Sequence, residues 1–209
     1  MQRLLVAHAA PSLRAWQGLC WQLDQRLAAV ARRGGDPAIA AIRLAWWDAV
    51  LVEDDRAKGG GEPLVEQWRA IAPAQAAPAV ERLIDGWRYL VSPDPLTDAD
   101  LLDYGAARGG GLFALLAGAD QTDALRAAGA LWALWDLAAH VRDAALAARA
   151  IAAARTLGVE ASAPLAGAAL KPLRLARAIA LPDVAAGCVP AAPFTVRHYG
   201  RLLRGALRG

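Results

Sequence analysis

Apolar residues recur at intervals of three and four along most of the chain, and glycine, proline and acidic residues separate these runs. This spacing places apolar side chains on one face of a helix. Asp36 is placed to cap one such helix, with Pro37 in its first turn. The apolar positions that share a face in that helix are Ile39, Ile42, Trp46 and Val50.

Breaks between the apolar runs set the predicted ends of the helices. The sequence "AKGGGEP" at 57–63 reads as a flexible connection, and Pro73 and Pro78 bracket another break. Thr97 is placed to cap the next helix. The glycines of "ARGGG" at 107–111 interrupt or kink that helix, since each costs about 1 kcal/mol relative to alanine.

The second half of the chain reads as longer helices. A helical run is predicted from about 121 to 156, and two more lie near 164–180 and 192–207. Alanine and leucine dominate the 56% hydrophobic content, whereas the β-branched and aromatic residues that favour sheets are few. The pattern predicts one all-α domain over residues 1–209, a single helical bundle of roughly eight helices.

Charge and cysteine content narrow the classes of function. The net charge of +3 is mild and no nucleic-acid-binding motif occurs, so no nucleic-acid partner is expected. Cys20 and Cys188 are too few and too far apart to predict a disulfide framework or a metal site. The apolar start of the chain is too short for a secretory signal, and no apolar window is long enough for a membrane span. We therefore expect a cytoplasmic protein.

Four segments in order resemble the squalene/phytoene synthase family. "IRLAWWDAVL" (42–51) is similar to its tryptophan-pair segment, and "LCWQLDQRLAAV" (19–30) stands where the family carries its first aspartate-rich helix. "LIDGWRYLVSPDPLTDADLLDYGAARGGGLFALLAG" (83–118) and "LRAAGALWAL" (125–134) resemble later helices. The resemblance covers roughly residues 12–150 and implies an isoprenoid synthase type of fold around an apolar cavity.

Active members of the family ionise prenyl diphosphates with Mg²⁺, which aspartate-rich motifs on facing helices hold. Magnesium requires several oxygen ligands in octahedral array. The first motif retains Asp24, but Ala28 stands one turn later. Asp136 and Asp143 fall in the second motif, which is broken in either register. Asp24, Asp136 and Asp143 are thus the candidate metal and catalytic remnants; the alternative is that arginines or a neighbouring helix neutralise them.

Aromatic residues are the candidates for lining the implied cavity. They are Trp46, Trp47, Tyr104, Trp132 and Trp135. Simple packing of these rings in the core is the alternative interpretation.

The end of the chain, residues 194–209, is a basic amphipathic segment. Its basic residues are Arg197, His198, Arg201, Arg204 and Arg208, with leucines between them. Such a helix fits a peripheral contact with an anionic membrane, or it packs its leucines on the bundle and leaves its charges in water.

The incomplete motifs predict a catalytically degenerate member of the family. The chain most resembles the branch that includes an assembly factor for mitochondrial respiratory complex I. That resemblance implies binding of an apolar isoprenoid or lipid ligand, or of a protein partner, with no cofactor. The alternative is an active Mg²⁺-dependent prenyltransferase that condenses prenyl diphosphates.

Overall fold

The computed structural model describes residues 1–32, 36–118, 122–167, 170–191 and 194–208. Within these ranges the regular structure is entirely helical, which confirms the predicted all-α class. The helices are more numerous than the roughly eight expected, because the run predicted from about 121 to 156 is divided and short helices lie between the longer ones. The isoprenoid synthase arrangement itself stays a prediction.

The α-helices are numbered in chain order, and short 3₁₀ turns connect some of them. Their bounds are α1 Gln2–Ala7, α2 Arg14–Arg32, α3 Pro37–Leu51, α4 Pro63–Ile71, α5 Ala77–Arg88, α6 Asp98–Tyr104, α7 Gly110–Ala117, α8 Asp123–His140, α9 Ala144–Thr156, α10 Gly158–Ala161, α11 Lys171–Ala185 and α12 Val196–Arg208. No helix in the described part of the chain is long and apolar enough to cross a lipid bilayer.

Two predicted helix caps are present. The Asp36 carboxylate accepts a hydrogen bond from the backbone N–H of Ala38, and Pro37 opens α3. Thr97 and Asp100 form a reciprocal capping box at the start of α6. The two helix starts that the capping residues predicted are therefore confirmed.

The long helix predicted from about 121 to 156 is two helices. Asp143 caps α9, so the chain turns between α8 and α9. The later predicted helices correspond to α11 and α12, although α11 begins at Lys171 and ends at Ala185, beyond the expected 180. Several positions that the predicted elements and breaks include (33–35, 121, 168–169, 192–193 and 209) lie outside the described residues.

The apolar face predicted for α3 is buried only in part. Val50 is fully buried and Trp46 half-buried, but Ile39 and Ile42 are 51% and 69% exposed. The buried side chains of α3 all come from its C-terminal half, where the helix packs on its neighbours. Three- and four-residue spacing identified the helix but not which part of it is covered.

The glycine-rich stretch after α6 does not end the helix. Residues Gly105–Gly109 form a π-helical turn that joins α6 to α7 without a break. A Cβ added at Gly109 would lie 2.0 Å from the Gly129 carbonyl oxygen of α8. Glycine at both positions therefore allows direct backbone contact between the π turn and α8.

Helix α8 lies at the centre of the bundle. It packs against the π turn, α7, α9, α10 and α11. The Trp132 ring on α8 meets the Trp21 ring edge to face at 5.1 Å and also contacts Phe113. Side chains from α2, α7 and α8 thus fill the core at this level.

Candidate functional site

A buried arginine on the π turn lies between two of the predicted carboxylates. Only 1% of the Arg108 side chain is exposed. Its Nε and Nη2 donate to Oδ1 and Oδ2 of Asp24 at 3.0 and 2.9 Å, a bidentate pair. Nη2 also donates to Oδ2 of Asp136 at 2.8 Å. We call these three residues, with Trp87 and Tyr104, the Arg108 cluster.

Aromatic side chains enclose the charged part of the cluster. The Trp87 Nε1–H donates to Oδ1 of Asp24 at 3.0 Å, and the Trp87 ring centroid lies 4.2 Å from the Arg108 Cζ. Arg108 Nη1 donates to the Tyr104 hydroxyl at 2.7 Å. Buried ions need hydrogen-bond partners, and each nitrogen of the guanidinium and each oxygen of the Asp24 carboxylate has at least one.

Close approach of α5 fixes the backbone that carries Arg108. A Cβ added at Gly86 would lie 2.4 Å from the Arg108 backbone nitrogen. Trp87, the next residue on α5, is thereby brought against the guanidinium. Local glycine content and the π turn together position a long side chain in the middle of the bundle.

Asp136 connects the cluster to a cavity at the surface. Its Oδ2 also accepts from Arg32 Nη2 at 3.4 Å, and its backbone carbonyl accepts from His140 Nδ1 at 2.7 Å. The cavity has a volume of about 220 Å³, and Trp135, His140, Phe194 and His198 line it with Asp136. The other carboxylate, Asp24, is buried at the far side of the guanidinium.

Charge pairing outweighs burial in setting the protonation states of Asp136 and Arg108, whereas burial prevails at Tyr104. Burial alone would raise the pKa of Asp136, but Arg108, His140 and Arg32 lower it below its ordinary value. Burial raises the pKa of Tyr104 to about 12, with Arg108 opposing the effect. Burial disfavours the charged form of Arg108, yet Asp24, Tyr104 and Asp136 raise its pKa further. The cluster therefore holds a permanent cation and an ionised Asp136.

This donor set does not fit Mg²⁺. Both oxygens of Asp24 accept hydrogen bonds from Arg108, and a guanidinium already lies between Asp24 and Asp136. A second cation there would meet like charge and too few free oxygens for octahedral coordination. Among the described residues, no three histidine, cysteine, aspartate or glutamate side chains are grouped to hold a metal ion.

The third predicted carboxylate has a different role. Asp143 is exposed and accepts hydrogen bonds from the backbone N–H groups of Ala145 and Leu146 at 2.8 and 3.2 Å. It caps α9 and takes no part in the Arg108 cluster. The structure thus unites Asp24 and Asp136, through Arg108, and places Asp143 elsewhere.

The predicted cavity-lining aromatics are mostly packed in the core. Tyr104 and Trp132 are fully buried, and Trp47 is 4% exposed with Trp46 edge to face on it at 5.0 Å. Trp135 lines the cavity beside Asp136. Tyr104, Trp132 and Trp47 pack in the core, and Trp46 lies half-buried against Trp47.

A second buried ion cluster lies around Asp183 on α11. Arg201 Nη2 donates to Asp183 Oδ1 at 2.6 Å, and the Trp135 Nε1–H donates to Oδ2 at 3.1 Å. His198 Nε2 lies 3.3 Å from the same Oδ2. Burial would raise the pKa of Asp183, but hydrogen bonds from Arg201 and Trp135 lower it. We call these four residues the Asp183 cluster; it attaches α12 to the bundle.

A larger open groove lies where α2, α5, α7 and α8 meet. Its volume is about 570 Å³, and its wall combines small and large apolar side chains with two arginines. We call it the Arg82 groove. Its lining residues are Trp16, Pro73, Gln75, Ala76, Ala79, Arg82, Ala114, Leu115, Gly118 and Arg126.

Sequence reasoning missed Arg108 and Asp183, the residues that organise the two clusters. Arg108 stands one turn after Tyr104 and directly before three glycines. A single arginine in such a stretch can be buried, because glycines let other backbones approach it. Asp183, which follows a proline inside α11, has no comparable local signal.

Comparisons with protein-family models, with curated proteins and with solved structures find no match to this chain. The family resemblance therefore stays a prediction that rests on the four sequence segments. Function is inferred from the geometry of the site, with that resemblance as its context.

Proposed function

We propose that this chain is a squalene/phytoene synthase-like bundle that binds an apolar isoprenoid or lipid ligand and does not transfer prenyl groups. The observation that carries the proposal is the Arg108 guanidinium between Asp24 and Asp136. In a prenyltransferase of this kind, carboxylates on facing helices bind Mg²⁺ and the metal neutralises the diphosphate. Here the cation between the two carboxylates belongs to the protein itself.

The free-energy cost of withdrawing Arg108 opposes its displacement by a metal ion. Withdrawing Arg108 would leave Asp24 buried without its partner, and breaking a buried ion pair costs about 3–5 kcal/mol. Metal binding would have to offset that cost with fewer oxygen ligands than Mg²⁺ prefers. The Arg108 cluster therefore acts as a structural element of the core.

The Arg82 groove is the place we propose for the ligand. Its volume of about 570 Å³ lies within the range typical of small-molecule sites, about 300–1,000 Å³. Ala76, Ala79 and Leu115 offer apolar contact, and Arg82 is exposed at the wall. Arg126, which also pairs with Asp123, adds positive charge. An apolar chain with an anionic head group matches this combination.

The absence of catalysis is tested by incubating the protein with farnesyl or geranylgeranyl diphosphate, Mg²⁺ and a reductant. Released diphosphate and hydrocarbon products are measured. We expect no release above a protein-free control. Mg²⁺-dependent release that Asp24→Asn abolishes and Asp143→Ala preserves would overturn the proposal and establish the prenyltransferase alternative. Asp143→Ala is the matched control because its carboxylate lies outside the Arg108 cluster.

Ligand binding is tested with farnesyl phosphate and farnesol in the presence of a chelator. Calorimetry should give tighter binding for the phosphate, weakened by Arg82→Ala about tenfold, since a hydrogen bond to a charged group contributes about 1.5–3 kcal/mol. Ala79→Leu, which fills the groove, should weaken both probes. Arg56→Ala removes an exposed arginine that does not line the groove and should change neither. No binding of either probe, or equal loss in Arg56→Ala, would overturn the ligand assignment.

A further inference from the structure

Helix α12 divides its side chains between two faces. One face attaches to the bundle: Leu202 is 2% exposed, and Arg201 donates from Nη1 to the Ile179 carbonyl of α11 at 2.9 Å. Arg201 and His198 also belong to the Asp183 cluster. The orientation of α12 about its own axis is therefore fixed by charge pairing and by apolar packing.

The opposite face carries an apolar stripe that the bundle does not cover. Val196, Tyr199, Leu203 and Leu207 stand at positions i, i+3, i+7 and i+11, which places them on one side of a helix. Val196 and Leu207 are 89% and 88% exposed, and Tyr199 and Leu203 are nearly half exposed. Such a row is unusual on a helix whose other face is already buried.

Arginines border this stripe along its length. Arg197 and Arg204 are exposed and lie seven residues apart, on adjoining positions of the same outward side. The sequence from Phe194 to Arg208 contains no acidic residue. Two copies of this face brought together would oppose like charges, which disfavours self-association as its use.

We infer that the outer face of α12, defined by Val196, Tyr199, Leu203, Leu207, Arg197 and Arg204, lies on the surface of an anionic lipid bilayer. The apolar stripe enters the boundary between head groups and acyl chains, and the arginines pair with lipid phosphates. Because the Asp183 cluster holds α12 in place before contact, binding requires no folding of the helix. This inference does not depend on the ligand proposed for the Arg82 groove.

Vesicle flotation of the full chain tests the inference, with phosphatidylcholine vesicles that contain or lack phosphatidylglycerol. We expect flotation with the anionic vesicles, weakened by salt. The partition coefficient should fall about tenfold or more in Leu203→Ser/Leu207→Ser, since each leucine loses its apolar contact. It should fall about fivefold for each of Arg197→Ala and Arg204→Ala. These side chains are exposed, so circular dichroism should show unchanged folding.

The matched control is Ile39→Ser/Ile42→Ser, which removes two exposed apolar side chains from α3 instead. This variant should float like the unmodified protein. Equal loss in the α3 variant would reveal unspecific apolar adhesion, and no flotation of the unmodified chain at low salt would contradict membrane binding directly. Light scattering without vesicles completes the test: an oligomer that Leu203→Ser/Leu207→Ser dissociates would assign the stripe to a second copy and overturn the inference.

Discussion

The Arg108 cluster and the Asp183 cluster both neutralise buried charges by ion pairing, in different parts of the bundle. In the first, one arginine serves two carboxylates from α2 and α8 at the centre of the bundle, with Arg108 and Asp24 only 1% exposed. In the second, one carboxylate serves an arginine and a histidine of α12 together with Trp135 of α8. The first joins elements distant in sequence; the second attaches the last described helix.

This difference separates a global role from a local one. The side chains around Arg108 come from α2, α5, α6 and α8, so its loss affects the whole core. Loss of the Asp183 contacts frees mainly one helix, and regions with few core contacts open independently of the rest. Buried charge at the Arg108 cluster therefore stabilises the whole bundle. At the Asp183 cluster it fixes the position of α12.

The largest effect is expected from Arg108→Met. This variant leaves Asp24 buried without its cation and Asp136 with the longer contact to Arg32, and we expect the free energy of unfolding to fall by about 3–5 kcal/mol. Urea denaturation followed by circular dichroism measures it. Adding Asp24→Asn and Asp136→Asn to Arg108→Met should recover part of the loss. A cost below about 1 kcal/mol for the single variant would refute the structural role of the cluster.

A smaller and local effect is expected from Asp183→Asn. The variant leaves Arg201 and His198 with a weaker partner, and we expect a cost of about 1–3 kcal/mol. Amide hydrogen exchange in α12 should accelerate. Exchange of the α8 amides should accelerate only as far as the lower free energy of global unfolding requires. Uniform acceleration in both helices would erase the distinction between the two clusters.

Acid should weaken both clusters. The pKa values of Asp136 and Asp183 are lower in the folded protein than the unfolded value of about 3.9. Their stabilisation is therefore complete above that value and is lost as the pH falls through the folded pKa values. The dependence of unfolding free energy on pH in this acid range should be less steep in Asp183→Asn, by up to about 1.4 kcal/mol per pH unit. An unchanged slope would show that Asp183 does not titrate as its contacts indicate.

The smallest effect is expected from Asp143→Ala. Loss of the N-cap of α9 should cost about 1 kcal/mol, and Asp143→Asn, which can still cap, should cost less. Thermal denaturation of the two variants side by side makes the measurement. A loss as large as that of Arg108→Met would show that Asp143 belongs to the core charges after all.

Local chemistry was the part of the fold that the sequence predicted well. Asp36, Pro37 and Thr97 mark helix starts because their own side chains or ring satisfy the first turn. Alanine and leucine content predicted the all-α class for the same local reason. The break before α9 was missed because Asp143 was interpreted as a possible ligand, although an aspartate before an alanine-rich run is also a capping signal.

The two carboxylates of the Arg108 cluster could be predicted from the sequence, but the arginine between them could not. Asp24 and Asp136 were identified from their places in the motifs, but their partner Arg108 lies 84 residues from Asp24 in sequence. Such pairing depends on how α2, the π turn and α8 pack, which no local pattern specifies. The exposure of Ile39, Ile42 and Leu203 likewise follows from which face the neighbours cover.

Because of the π turn between α6 and α7, the core ion pairs depend on the number of residues in this segment. Its wider winding inserts an extra residue into an otherwise continuous helical path, and that residue determines which side chains face inward before and after it. Deleting one residue between Gly105 and Gly109 would rotate α7 relative to α6 by about 100°. Only one of two contacts could then be kept: the ion pair of Arg108 with Asp24, or the contact of the Phe113 ring with Trp132. A change in the number of residues in this segment is therefore expected to cost a core contact, whereas Gly109 itself cannot be substituted without a clash with Gly129.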